Sequence, residues 1–251
     1  MRLALITMAA ALLLAACGGD ELPTATPADA VSTITSTADD PSSTGSDAAT
    51  SEAAPTEAAA AEPTEAVLGE ELRLTPAQGE GPFYPVEIPA DHDNDLTVVG
   101  DSDGAAQGEV LLLGGRLLFE DGTPVAGAFI EIWQVDANGI YLHPNDDLAS
   151  RDPNFQGYGE SLTDADGNWS FRTIYPARYE PRPRHVHVKV RLDGAELLTT
   201  QIYFVGDENL ESDRLFADAE DGELLVVEIE RTEGRDGSAV LVANHLLVVS
   251  N

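Results

Sequence analysis

From Leu72 onward, short β-branched or aromatic runs alternate with tight-turn signals, and this rhythm limits what the chain can fold into. Strands are expected near Val110–Phe119, Ala128–Gln134, Asn168–Ile174, His185–Leu192, Leu197–Val205, Leu224–Glu230 and Ala239–Val249. Between them stand Asp121-Gly122, Asn138-Gly139, Asp166-Gly167, Asp193-Gly194 and Asp221-Gly222. Gly and Asn accept positive φ, so each pair suits a tight turn. Strands at this spacing, without a convincing amphipathic helix, predict an all-β fold, an antiparallel β-sandwich. The span is long for a sandwich, so long functional loops are expected. The longest turn-rich stretches are 83–108, 135–167 and 175–184.

The chain ahead of this region reads differently. Met1-Arg2 gives a positive start, and Leu3 to Leu14 is an apolar run of leader length, too short to span a bilayer. Leu14-Ala15-Ala16-Cys17-Gly18 looks like a bacterial lipobox, in which Cys17 is lipidated and becomes the first mature residue. Cys17 is also the only cysteine, so no intrachain disulfide can form. Residues 18–70 are rich in Ala, Thr, Ser, Pro, Glu and Asp and hold no lysine or arginine. Such a segment buries too little apolar surface to offset its ordering entropy. The expected organisation is a lipoprotein leader at 1–17, a disordered tether at 18–70 and a β-sandwich domain at 71–251. It implies an exported protein held in a bacterial cell envelope, meeting the membrane through its N-terminal lipid anchor.

The formal net charge is −32 over 251 residues, with 13 Lys and Arg against 45 Asp and Glu. Nucleic acid is excluded as a partner, because phosphate binding needs a basic face. Lys189 is the only lysine.

The strongest chemical signal is Arg182-Pro183-Arg184-His185-Val186-His187-Val188-Lys189-Val190. Its alternation is strand-like, so His185 and His187 project from one face and can reach one metal ion. The pair alone is compatible with zinc or copper as well as iron. Tyr179 precedes it in a loop restricted by Pro176, Pro181 and Pro183, and Tyr141 follows a strand and a turn. Singly, each tyrosine fits ordinary aromatic packing, and Trp133 fits the core. Asp91-His92-Asp93-Asn94-Asp95 lacks a full calcium-loop pattern and reads as a solvated turn. His143 and His245 have no partner pattern that makes them ligands.

Several motifs occur in a specific order: Glu80-Gly81-Pro82-Phe83-Tyr84-Pro85, Gly122-Thr123-Pro124-Val125-Ala126-Gly127-Ala128, Glu131-Ile132-Trp133-Gln134 and Asn138-Gly139-Ile140-Tyr141. Asn154-Phe155-Gln156-Gly157, Thr163-Asp164-Ala165-Asp166-Gly167, the Tyr179 to His187 stretch and Thr200-Gln201-Ile202-Tyr203-Phe204 complete the series. In this order the sequence resembles the intradiol ring-cleavage dioxygenases, the family of catechol 1,2- and protocatechuate 3,4-dioxygenases, from about Thr75 to Asp207. The resemblance implies Fe(III) held by Tyr141, Tyr179, His185 and His187. It also implies a catalytic arginine at Arg182 and an active-site glutamine at Gln201. The substrates implied are a catechol-type small molecule and O2, and the product a muconate-type diacid. Tyr175 is an alternative to Tyr179, but the spacing from Pro176 favours Tyr179. The stretch from Tyr179 to Arg182 is shorter than in common members and lacks their tryptophan, which leaves the preferred ring open. The tether-like segment stands where catechol 1,2-type members carry a helical domain.

Two other readings compete. A non-catalytic β-sandwich binding module would share the Gly122–Ala128 and Thr163–Gly167 motifs but has no need of the Tyr/Tyr/His/His set. A structural zinc or copper site would use His185 and His187 alone.

Overall fold

The computed structural model describes residues 72–234 and 236–251. The leader expected at 1–17, Cys17 and the tether expected at 18–70 lie outside the described residues.

Among the described residues, nine strands form the domain: β1 (Val110–Phe119), β2 (Phe129–Trp133), β3 (Tyr158–Leu162), β4 (Asn168–Ile174), β5 (His185–Leu192), β6 (Ala195–Phe204), β7 (Val226–Val227), β8 (Glu230–Glu233) and β9 (Ala239–Val249). Among the described residues, the helical content is a single turn, α1 (Arg214–Ala217), and two 3-10 segments, Leu210–Ser212 and Gly222–Leu225. The strands pair into a four-stranded sheet, β4-β1-β9-β8, and a five-stranded sheet, β3-β2-β5-β6-β7.

The core lies between the sheets. Leu111, Leu113 and Leu117 of β1, with Leu241 and Leu247 of β9, pack in one cluster with Ile130 and Ile132 of β2. Val186, Val188 and Val190 of β5 join them, each fully buried. Burying an aliphatic side chain of this size contributes about 1.5–3 kcal/mol, so the period-2 pattern of each strand decides which face turns inward. This is the all-β sandwich that the strand rhythm predicts.

The pairing differs from a purely antiparallel sandwich at two places. β1 runs parallel to β9, and β6 runs parallel to β7. Neither pair is joined by a hairpin turn, so no local geometry imposes the antiparallel direction. β1 approaches β9 closely at Gly115, where an added Cβ would collide with the His245 carbonyl. The His245 side chain is buried, and burial pushes its pKa down to about 4. It is therefore a neutral core residue near pH 7.

β3 is absent from the sequence expectation because Gly159, Glu160 and Ser161 carry no strand preference. It forms as the partner of β2, with Trp133 opposite Tyr158. The strand expected over Leu224–Glu230 is instead a 3-10 turn followed by β7 and the start of β8. Asp221, at positive φ of 56°, turns the chain into that segment.

The outer face of the five-stranded sheet is covered around His185, His187 and Lys189 and exposed at Phe129 and Leu162. The chain at 79–84 crosses this covered part, after Gln78 N–H donates to the Thr199 carbonyl of β6 at 2.8 Å.

Candidate metal centre

β5 is buried on both faces, and this sets up the site. Val186, Val188 and Val190 point into the core, so His185, His187 and Lys189 point the other way. Simple alternation would leave those three wet. They are only 4%, 4% and 3% exposed, because Gly81 lies against His187, Glu80 and Tyr84 against Lys189, and Tyr141 and Tyr203 against His185. Register then assembles a row across three strands: Trp133 of β2, His187 of β5 and Gln201 of β6. His185 stands opposite Tyr203. Trp133, expected in the core, is buried but on this outer face, stacked on the His187 ring at 4.7 Å.

Tyr141 reaches the same point from the loop after β2. Asp136 builds the turn, its Oδ1 accepting from Asn138 N–H at 2.8 Å and Ile140 N–H at 2.9 Å. Gly139 supplies the positive φ. Asp146 then accepts from the Tyr141 N–H at 2.9 Å. The Tyr141 hydroxyl lies 3.0 Å from His185 Nε2 and 3.1 Å from His187 Nε2. A phenol carries one proton and cannot donate to both imidazoles. Three donor atoms therefore converge on one point.

The protonation states suit a cation. His185 Nδ1 lies 2.8 Å from the Pro183 carbonyl. A carbonyl only accepts, so Nδ1 carries the proton and Nε2 presents a lone pair. His187 Nδ1 is buried without a partner, which leaves the bonding of that ring to Nε2. Burial pushes the His185 pKa down to about 4, with the Arg182 charge adding to the effect against the Pro183 hydrogen bond. Burial, the neighbouring His185 and Arg182 hold His187 well below its ordinary range. Both rings are thus neutral near pH 7, as metal ligation requires. Burial raises the Tyr141 pKa, with Arg182 opposing. Only a strong cation at the converging point would favour its phenolate. Among the described residues no cluster of three or more His, Cys, Asp or Glu could hold a metal. The imidazole pair has phenols as companions, and phenolate is a hard anionic donor that fits Fe(III).

Tyr179 is the second phenol. Its ring centroid is 5.4 Å from that of Tyr141, and Phe83 packs against both, at 4.8 Å from Tyr141 and 5.2 Å from Tyr179. Tyr175 lies elsewhere, edge-on to Phe204 at 5.0 Å and beneath the Arg184 guanidinium. The loop bearing Tyr179 is pinned near both ends by one carboxylate. Asp207 accepts from Arg184 Nη1 at 3.2 Å and Arg178 Nε at 3.4 Å. Burial works to raise the Asp207 pKa, but N–H groups of Asn209 and Arg184 and both guanidiniums hold it below its ordinary value.

Arg182 follows Tyr179 in the same turn, its N–H donating to the Tyr179 carbonyl at 2.8 Å. The guanidinium forms an ion pair with Asp213 through Nε. Its Nη2 donates to Gln201 Oε1 and to the Tyr203 hydroxyl, both at 2.9 Å. Gln201 Nε2 donates in turn to the Gly79 carbonyl at 3.1 Å. Both ends of the Gln201 amide are engaged, so it acts by fixing Arg182. Asp213 also caps α1, accepting from Phe216 N–H at 3.0 Å.

The other candidates stay apart. Asp93 accepts from Asp95 N–H at 2.8 Å and Asp95 from Thr97 N–H at 3.0 Å, so the acidic run shapes a turn. His143 packs edge-on to Phe83 and its Nδ1 accepts from Asn145 N–H. Sequence reasoning assigned no role to Tyr203, Asp213, Phe83 or Asp207. Tyr203 was within reach, since it shares a strand face with Gln201 at i+2. Asp213 had no local signal, because its helix is four residues long.

A family model described as Dioxygenase matches residues 79–244. The protocatechuate 3,4-dioxygenase beta chain of Burkholderia cepacia is 40% identical over 145 residues, covering 54% of this chain and 61% of that protein. Catechol 1,2-dioxygenase 2 of Acinetobacter lwoffii is 32% identical over 161 residues, covering 57% and 56%. The chain thus spans less than two thirds of these curated relatives. Among solved structures, the dioxygenase domain of a carbohydrate-binding fusion from Streptomyces sp. SirexAA-E superposes with a TM-score of 0.55 at 29% identity. That match covers 71% of this chain and 99% of the domain. With most of the described sandwich under one family model, the chain belongs to the intradiol ring-cleavage dioxygenase family.

Proposed function

We propose that this chain binds Fe(III) through Tyr141, Tyr179, His185 and His187 and cleaves a catechol-type ring with O2 between its two hydroxylated carbons. The observation that carries the reading is the convergence of both Nε2 atoms on the Tyr141 hydroxyl. Bound there, ferric iron would supply Lewis acidity and redox activation of the catechol substrate toward O2. The balance is catechol plus O2 to a muconate-type diacid, with one ring C–C bond broken and both oxygen atoms retained.

The chain's own residues divide the remaining work. An incoming catechol must shed protons, and Tyr179 is partly exposed while Tyr141 is only 2% exposed. The Tyr179 oxygen is therefore the one suited to exchange protons with substrate. Arg182, fixed by Asp213, Gln201 and Tyr203, directs positive charge at the site without reorganising when negative charge develops on the ring. Phe83 and Trp133 cover the ligand rings and keep water out.

Product analysis tests the reaction. The iron-loaded protein, supplied in air with catechol, protocatechuate, hydroxyquinol and chlorinated catechols, should consume one O2 per diacid formed from at least one of them. A ring-opened semialdehyde, the extradiol product, or no O2 uptake with any of the panel would refute it.

A further inference from the structure

Lys189 is the only lysine in the chain, and the centre described above gives it no task. It shares a face of β5 with His185 and His187, and its side chain is 4% exposed. An ammonium is strongly hydrated, so a site this dry must replace its water. Glu80 pairs with Nζ, and Glu196 lies 3.8 Å away. The Tyr84 ring centroid is 3.9 Å from Nζ and the Trp133 centroid 5.8 Å.

Glu80 and Tyr84 belong to the strap over the sheet, Gln78–Tyr84. Between them stand the two residues that approach candidate ligands. Gly81, at φ of 77°, passes so near His187 that an added Cβ would lie 3.5 Å from Cε1. Phe83 stacks on Tyr141 with an interplanar angle of 11°. The far end is tied again, since the Tyr84 hydroxyl donates to Glu131 at 2.6 Å.

We propose that Lys189 is a positioning residue, the latch that holds the strap closed over the metal centre by gripping Glu80 and Tyr84 on either side of Gly81 and Phe83. Its consequence for iron rests on the proposed function; the latch itself does not. Aromatic faces and the carboxylates of Glu80 and Glu196 together replace the water the ammonium has lost. Releasing either grip loosens the strap between its remaining ties at Gly79 and Glu131 and makes opening over His187 and Tyr141 easier.

The lone lysine supplies its own reporter. In the full-length protein, acylation of Lys189 by an N-hydroxysuccinimide ester of acetate is read by peptide mass spectrometry. Native Lys189 should be protected relative to the urea-unfolded chain. Glu80→Gln alters a carboxylate that is 45% exposed, so the fold should survive. It should raise the acylation rate about tenfold or more by favouring local opening. Iron release to excess chelator should be about 10–100-fold faster in Glu80→Gln and Lys189→Met, with Lys189→Arg close to wild type. Native Lys189 as reactive as in the unfolded chain, or an unchanged rate in Glu80→Gln, would overturn the latch. Protection with unchanged iron release in both variants would overturn its link to the centre. Failure of the wild-type chain to bind iron would count against the metal reading alone, because acylation still decides the latch.

Discussion

His185→Ala is expected to abolish iron binding and to lower ring cleavage by about a thousandfold or more, roughly 4 kcal/mol on the barrier. The imidazole is 4% exposed, held through Nδ1 by the Pro183 carbonyl, with Nε2 3.0 Å from the Tyr141 hydroxyl. Alanine removes one of the converging donors, and the neighbouring imidazole of His187 already fills its own place there. It leaves Val186 and Val188 in the core, so the sandwich should still form. Iron per chain by elemental analysis, read beside the circular dichroism spectrum, separates lost metal from lost fold. A folded variant with a full iron complement and wild-type turnover would show that His185 is no ligand.

The second large effect belongs to Arg182. Arg182→Gln should keep iron but lower kcat by about 10²–10³, the usual result of removing a preorganised charge aimed at the reacting group. The same change strands Asp213, whose side chain is 4% exposed and whose charge partner is Arg182. Losing one member of a buried ion pair costs about 3 kcal/mol of stability. The two effects can be separated. Adding Asp213→Asn should recover much of the stability, measured by urea unfolding, without recovering kcat. An Arg182→Gln enzyme with normal kcat would reduce Arg182 to a structural role.

Strand bounds were most legible where burial and β preference coincide. β1, β4, β5 and β9 match their expected spans because Val, Ile, Leu and aromatic residues are concentrated there between turn signals. β3 carries no such signal, and β2 alone recruits it. The parallel β1–β9 pairing is non-local, so no turn in the sequence announces it. At the site, alternation placed His185 and His187 on one face, but it could not foresee that this face is buried. That depends on the strap, whose residues were visible only as a motif. The choice of Tyr141 and Tyr179 came from the order of motifs, since nothing local distinguishes a phenol that packs from one that ligates. Tyr203 and Asp213 were missed because their importance arises from a contact with Arg182 across the fold.

A ferric centre with tyrosine ligands is checked by the visible absorption spectrum of the protein loaded aerobically with one iron per chain. Tyrosinate-to-iron charge transfer should give a broad visible band and a red-brown colour, and Tyr141→Phe should shift that band. A colourless protein that carries one iron per chain, or a band indifferent to Tyr141→Phe, would contradict the account.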